Sequence, residues 1–303
     1  MSQPFNITIS VPSGNPDKLR IIEKTNRLSQ ALVFNRSELS ELAKTRKELE
    51  YTGVYMLVNS SGDSLPEIYV GEGESVLTRL KSHSKEDTKK EDKKDFWEWA
   101  VVFINRDNSL HKSHIQYIEA ELIERATSNK RCILNNGKLQ NKPSIPEPIL
   151  FEAQDLLNDI YHIVPLLGIS AFESVTDTQV EEHSEMLYLR TKGLKATGFT
   201  AASKLVVKQG SQAVKDDTAS ISKGFSNWRA TLTEQGVLQP QGEYLTFSQD
   251  YTFESPSTAA AVIMGRNANG RIEWRTKDNV KLKELQEREL NYPTSRPTTE
   301  KCS

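Results

Sequence analysis

Cysteine is almost missing from this chain: there are two, Cys132 and Cys302, far apart in a sequence of 303 residues. They offer no zinc-ligand spacing and no disulfide framework, which points to a reducing compartment. Long apolar runs are missing too. The most apolar stretch, Tyr161 to Ile169, is too short to span a bilayer and contains Pro165. The N-terminus, MSQPFNITISV, has no charged region ahead of an apolar core, so it does not read as a secretory signal. Nor does one sign of charge dominate. Lys and Arg number 39 against 41 Asp and Glu, a formal charge of −2, which excludes a uniformly basic nucleic-acid coat but leaves room for a local basic groove. Apolar residues are 36%, low for a globular protein yet too many for a wholly disordered one. A cytoplasmic protein with no membrane segment is expected.

What is present is unevenly distributed. The length suits two domains of ordinary size. Residues 1–143 hold 22 Lys and Arg against 20 Asp and Glu, residues 144–191 hold 1 against 9, and residues 192–303 hold 16 against 12. Two mildly basic blocks are therefore separated by an acidic segment that opens with Pro143, Pro146 and Pro148. The expected organisation is a strand-helix segment over 1–50, a mixed α and β domain over 51–142, and a solvated acidic connector over 143–191 carrying one helix, Glu152 to Ile163. A small α+β domain follows over 192–278, and the tail over 279–303 is rich in Pro, Thr and Ser from Asn291 onward.

Within the first block, Phe5 to Val11 alternates as a strand, and Leu19 to Leu32 reads as helical. Gly53 to Val58 and Glu67 to Gly71 read as a hairpin, with Asn59, Ser60, Ser61 and Gly62 supplying the turn. Val76 to His83 suits a helix, Trp97 to Ile104 a central strand, and His111 to Thr127 a helix. In that last helix Ile115, Ile118, Leu122 and Ala126 mark the buried stripe, and Glu119 falls on it. A carboxylate there costs several kcal/mol unless it is paired or binds a metal. A salt bridge to a nearby Lys or Arg and a metal ion are the two readings of Glu119.

The hairpin narrows the choice. Gly53-Val54-Tyr55 and Tyr69-Val70-Gly71 resemble the signature of the GIY-YIG nucleases in its GVY and YVG form. Arg79 follows Tyr69 by ten residues, and His83 lies one helical turn beyond Arg79. Glu119 stands in Glu-Ala-Glu-Leu-Ile, which looks like that family's metal-binding glutamate. Leu134-Asn135-Asn136 resembles the asparagine that closes the motif set. Tyr55, Tyr69, Arg79, His83, Glu119 and Asn135 thus appear in order over residues 51–142. The flanks also resemble one bacterial branch of the family: Gly14 to Glu23 ahead of the domain, and Lys208-Gln209-Gly210-Ser211, Arg229 with Leu232, Phe253 to Ala260 and Asn269-Gly270 after it, in a poorly characterised domain. One departure is Glu72, where the repair members carry lysine. Lys112 and His114 are the nearest candidates for replacement charge and for substrate binding.

The resemblance implies a protein of α/β class, α+β in type: a three-stranded antiparallel sheet flanked by helices, plus the second small α+β domain. It implies an endonuclease that hydrolyses phosphodiester bonds in nucleic acid, DNA above all. Glu119 would anchor one Mg2+ ion, with Mn2+ as a substitute, Arg79 would fork onto the phosphate, and Tyr55 or Tyr69 would act as base or orient the water. His83 would relay a proton or bind phosphate. The competing expectation is a catalytically silent nucleic-acid-binding or adaptor protein, to which Glu72 gives room; a protein partner or a homodimer fits either. In the last block, Lys204 to Lys208 reads as a strand and Ile221 to Gln235 as a helix. Tyr244 to Phe253 reads as one or two strands, Ser257 to Met264 as a helix capped by Ser257, and Arg271 to Trp274 as a short strand. Arg266, Arg271, Arg275 and Lys277 near Trp274 suit a nucleic-acid surface as well as a plain solvated one.

Overall fold

A computed structural model describes residues 4–60, 64–84, 95–137, 141–173, 185–191 and 193–291, without the side chains of the last three. The chain divides into two compact units, residues 1–173 and 174–303. It is mixed α and β throughout.

The first unit is built on one sheet. Its strands are β1 (Ile7–Ser10), β2 (Arg20–Lys24), β3 (Ser29–Asn35), β4 (Gly53–Asn59), β5 (Glu67–Gly73), β6 (Trp99–Asn105) and β7 (Ile133–Leu134). They lie in the order β1-β2-β3-β6-β4-β5-β7, antiparallel except for the β5–β7 pair. Helices α1 (Leu39–Thr45) and α2 (Val76–Ser84) cover one face, and α3 (Lys112–Asn129) and α4 (Glu147–Ile163) the other. The alternation of β4 and β5 sorts their side chains. Val54, Met56, Val58, Ile68 and Val70 pack with Ile115, Ile118 and Leu122 of α3. Tyr55, Leu57 and Tyr69 pack with Val76, Leu77 and Leu80 of α2. Each fully buried aliphatic side chain stabilises by about 2 kcal/mol, so both helices are fixed firmly to the hairpin.

Two expectations for this unit are corrected. Leu19 to Leu32 is not a helix: Arg20–Lys24 and Ser29–Asn35 are antiparallel strands joined through Asn26, whose φ is +62°. β3 is buried on both faces, so Ala31-Leu32-Val33-Phe34 shows no alternation and its period is ambiguous. The sheet is consequently seven strands wide rather than three, and β3 covers the edge that β6 would otherwise expose. The acidic segment is also more than a solvated connector. Ala153, Leu156, Leu157, Ile160 and Ile163 of α4 lie in the core of the first unit. Asp159, only 2% exposed, accepts hydrogen bonds from Lys24 Nζ (3.1 Å), Arg27 Nε (3.1 Å) and Ser29 Oγ (2.7 Å). Removing one partner of a buried charge network costs about 3 kcal/mol. Asp159→Ala is therefore expected to lose about that much in urea unfolding, and a loss below ~1 kcal/mol would mean that apolar packing alone seats α4.

The second unit has two antiparallel sheets. One, in the order β14-β10-β9-β8, comprises β8 (Leu187–Thr191), β9 (Leu194–Ala201), β10 (Lys204–Val207) and β14 (Tyr251–Phe253). The other, β11-β13-β12, comprises β11 (Gln212–Val214), β12 (Leu238–Gln241) and β13 (Tyr244–Phe247). Helices α5 (Lys223–Glu234), α6 (Pro256–Met264), α7 (Gly270–Glu273) and α8 (Leu282–Asn291) complete it. The cap of α6 is Ser255, not Ser257: Ser255 Oγ accepts from the Thr258 N–H at 3.1 Å, while Ser257 Oγ accepts from the Gly270 N–H at 3.0 Å. Arg271 to Trp274 is not a strand, because the Asn269 side chain starts α7 there by accepting from the Arg271 N–H. A Cβ on Gly270 would fall 2.1 Å from the backbone of Pro256, so only glycine lets these segments meet. Arg229 is a buried tie, donating to Asp217, to the Val214 carbonyl (2.6 Å) and to the Val262 carbonyl. The expected tail beyond Asn291 lies outside the described residues.

Candidate active site

Strand register explains the two glycine-tyrosine tripeptides. In the β4–β5 ladder Tyr55 stands opposite Gly71, and Gly53 opposite Gly73. A Cβ on Gly71 would lie 2.4 Å from Tyr55 Cζ and 2.5 Å from its hydroxyl. The bare Cα of Gly71 thus lets the buried Tyr55 ring reach across β5. Gly73 does the same for Arg79, whose Cγ would be 2.7 Å from a Cβ there.

Helix α2 follows β5 after two residues and delivers Arg79 and His83 on one face. His83 is buried, with Nε2 2.8 Å from the Tyr55 hydroxyl. The Tyr69 ring lies edge-on to His83 at 5.1 Å and tilted to Tyr55 at 6.2 Å. The Arg79 guanidinium interacts with both tyrosine hydroxyls. Burial pushes the Tyr55 hydroxyl well above its ordinary value of 10, reinforced by Tyr69 and opposed by Arg79. Tyr69 is raised for the same first reason and then by the charge of Glu119. Of the two tyrosines, Tyr69 is partly exposed and Tyr55 fully buried.

The carboxylates come from the opposite face. Glu119 is 5% exposed among Ile115, Ile118 and Leu122, and its carboxylate makes no hydrogen bond or ion pair among the described residues. Its pKa is pushed up to about 7, first by burial and then by repulsion from Glu72, with Lys112 and Arg79 partly offsetting. Lys112 instead pairs with Glu72, Nζ to Oε1 at 2.5 Å, which leaves Glu72 Oε2 buried without a partner. Among the described residues β5 has no ladder partner beyond Ile68 on the β7 side. Glu119 acts electrostatically on Tyr69 and Arg79 of the other face.

The remaining expected site residues fall differently. Asn135 bonds the Glu67 side chain and gives its backbone N–H to the Ile68 carbonyl at 2.8 Å. The neighbouring Asn136, to which the motif assigns no role, grips Val70 through both backbone groups at 2.9 and 2.7 Å. Together they finish the open edge of β5. His114 is not brought to the site. It is buried, its Nδ1 accepts from the His111 N–H at the start of α3, and its Nε2 meets Glu152 of α4 at 2.8 Å. The sequence signal for this is its place in the first turn of the helix. Glu72 is more than a missing lysine: alternation from Tyr69 puts residue 72 on the face of α3, where Glu119 stands.

The second unit answers to a known sequence family. Residues 187–286 match the model of a domain of unknown function, DUF4357. The match takes in the stretches around Gly210, Arg229, Ser255 and Gly270. No curated protein and no solved structure matches the chain. No helix among the described residues is long and apolar enough to cross a membrane.

Proposed function

We propose that the first unit is a GIY-YIG-type endonuclease domain that hydrolyses phosphodiester bonds, with DNA as substrate. The observation that carries this reading is a buried Glu119 with no hydrogen bond or ion pair among the described residues, within electrostatic reach of Tyr69 and Arg79. The residues present fit a divalent cation. A desolvated carboxylate and the Oε2 of Glu72, neither with a partner among the described residues, both call for positive charge, and hard oxygen donors suit magnesium or manganese. Among the described residues no group of three or more His, Cys, Asp or Glu is set to hold a metal, so Glu119 would be the anchor and the scissile phosphate would complete the shell. Such an ion supplies Lewis-acid stabilisation of the leaving 3′-oxygen.

The chain's own groups do the rest. Arg79, an exposed residue whose guanidinium also meets the two tyrosines, forks onto two phosphate oxygens, which neutralises charge and fixes orientation. Tyr69, the more exposed of the two tyrosines, holds the attacking water through its hydroxyl. Burial opposes its ionisation, so it positions the water as a neutral phenol rather than as a ready-made phenolate. The Tyr55 hydroxyl and His83 Nε2 form a buried proton-holding pair behind it. Arg79→Lys keeps the charge and loses the fork, so cleavage is expected to fall roughly tenfold or more while binding persists. Wild-type rates in that variant would reduce Arg79 to a surface cation.

The Glu72–Lys112 pair favours a second reading, a silent nucleic-acid-binding protein, because it withdraws a lysine from the phosphate. The deciding experiment incubates the full chain with plasmid, linear DNA, single-stranded DNA and RNA, with magnesium or with chelator. Metal-dependent cleavage supports the enzyme; binding of any of these without cleavage leaves the silent reading.

A further inference from the structure

Cations in the second unit converge on one polar cavity of about 290 Å3, around Tyr188, Arg190, Arg275 and Lys277. Among the described residues none of these three cations pairs with a carboxylate. Glu273 also lines the cavity, but Arg266 already neutralises it at 2.7 Å. The walls are firmly held. Tyr188 and Arg275 exchange backbone hydrogen bonds at 2.7 and 3.0 Å, and the next turn is closed by the Thr276 N–H bond to the Val280 carbonyl at 2.8 Å. Trp274, fully buried, donates its Nε1–H to the Pro256 carbonyl at 3.1 Å and anchors the segment from below. Two of the cations are pre-positioned. The Arg190 guanidinium sits 5.4 Å from the Tyr188 ring centre, and Arg275 Nη1 donates to the Asn279 side chain at 3.0 Å.

Three uncompensated cations in a concavity repel one another and focus a positive potential, both of which an anion relieves. Guanidinium forks match phosphate oxygens. Among the described residues the one aromatic ring in the lining is Tyr188, which already carries Arg190, so no apolar floor is left there on which a base could be read. We propose that this cavity binds a backbone phosphate of a nucleic-acid strand, giving the DUF4357 unit a sequence-independent hold on the substrate. The proposal rests on the reading that the chain acts on nucleic acid, but not on cleavage.

The test uses the full chain carrying Glu119→Gln, with and without Arg190→Ala and Lys277→Ala. Both cavity residues are exposed, and thermal unfolding checks that the fold is kept. Fluorescence anisotropy reads binding of two labelled DNA duplexes of unrelated sequence at several salt concentrations. The double cavity substitution is expected to weaken both duplexes roughly tenfold and to make the slope of log affinity against log salt shallower by about 1, for the one phosphate no longer held. Unchanged affinity and slope would overturn the proposal. So would loss of stabilisation by inorganic phosphate while the duplexes bind as before, since the ligand would then be a free phosphate compound. A parent protein that binds neither duplex at any salt sinks this proposal and the DNA-cleavage reading together, whereas binding that ignores the cavity sinks this one alone.

Discussion

Glu119→Gln is expected to abolish metal-dependent cleavage, by roughly a thousandfold or more, and at the same time to stabilise the metal-free protein at pH 8. The second half follows from the raised pKa. The carboxyl titrates at about 7 in the folded chain against an ordinary 4.5. The folded state therefore holds this proton more tightly than the unfolded one. The penalty for a buried charge is absent below 4.5, grows between 4.5 and 7, and is complete above 7, where it reaches about 3 kcal/mol. Glutamine keeps the shape without the charge. In urea unfolding with chelator, the variant should exceed wild type by up to about 3 kcal/mol at pH 8 and match it near pH 4.5. Added magnesium should raise the wild-type midpoint and leave the variant unmoved. A variant that is less stable than wild type at pH 8 would mean that Glu119 is a paired structural carboxylate, and the metal reading would fall with it.

How much of this is legible in the chain depends on how local the cause is. Strands β4 and β5 and helices α2 and α3 each carry their own period and boundary residues, so spacing assigns Tyr55, Tyr69, Arg79, His83 and Glu119 to their elements, while the resemblance singles them out as a set. Strand β3 cannot be placed that way, because burial on both faces erases alternation and leaves an apolar run that also fits a helix, and β2 before it buries only Ile22, so it shows no alternation of its own. His114 looks like a charge beside the site, yet one turn of helix and a contact with Glu152 of α4 decide its role, and only the fold supplies that contact. The pairing of Glu72 with Lys112, 40 residues apart, is of the same kind. In the second unit Arg229 shares the buried face of α5 with Trp228 and Leu232, and that spacing is a usable sign of a core arginine. Its acceptors, on residues 214–217 and at Val262, are not readable without the packing.

Gly71→Ala is expected to disable the site through a contact that the sequence marks only as a glycine. The new Cβ would meet Tyr55 at Cζ, Cε2 and the hydroxyl, all within 2.9 Å, in a ring with no room to retreat because Tyr55 is fully buried. Overpacking of this kind costs about 1–3 kcal/mol. The larger effect falls on catalysis, since the ring must swing off His83 and disturb Tyr69 and Arg79. Misplacement by about 1 Å is worth roughly a hundredfold, and loss of the Tyr55–His83 hydrogen bond adds roughly tenfold. Cleavage should therefore fall about a thousandfold. Steric and chemical causes separate in a double variant. Tyr55→Leu removes the ring that the methyl strikes, so Gly71→Ala with Tyr55→Leu should unfold at a higher denaturant concentration than Gly71→Ala alone, while cleavage stays lost. A double variant no more stable than Gly71→Ala would show that the glycine serves the backbone of β5 rather than the ring. Recovery of cleavage without the tyrosine would remove Tyr55 from the site altogether and leave Tyr69 and His83 to handle the proton.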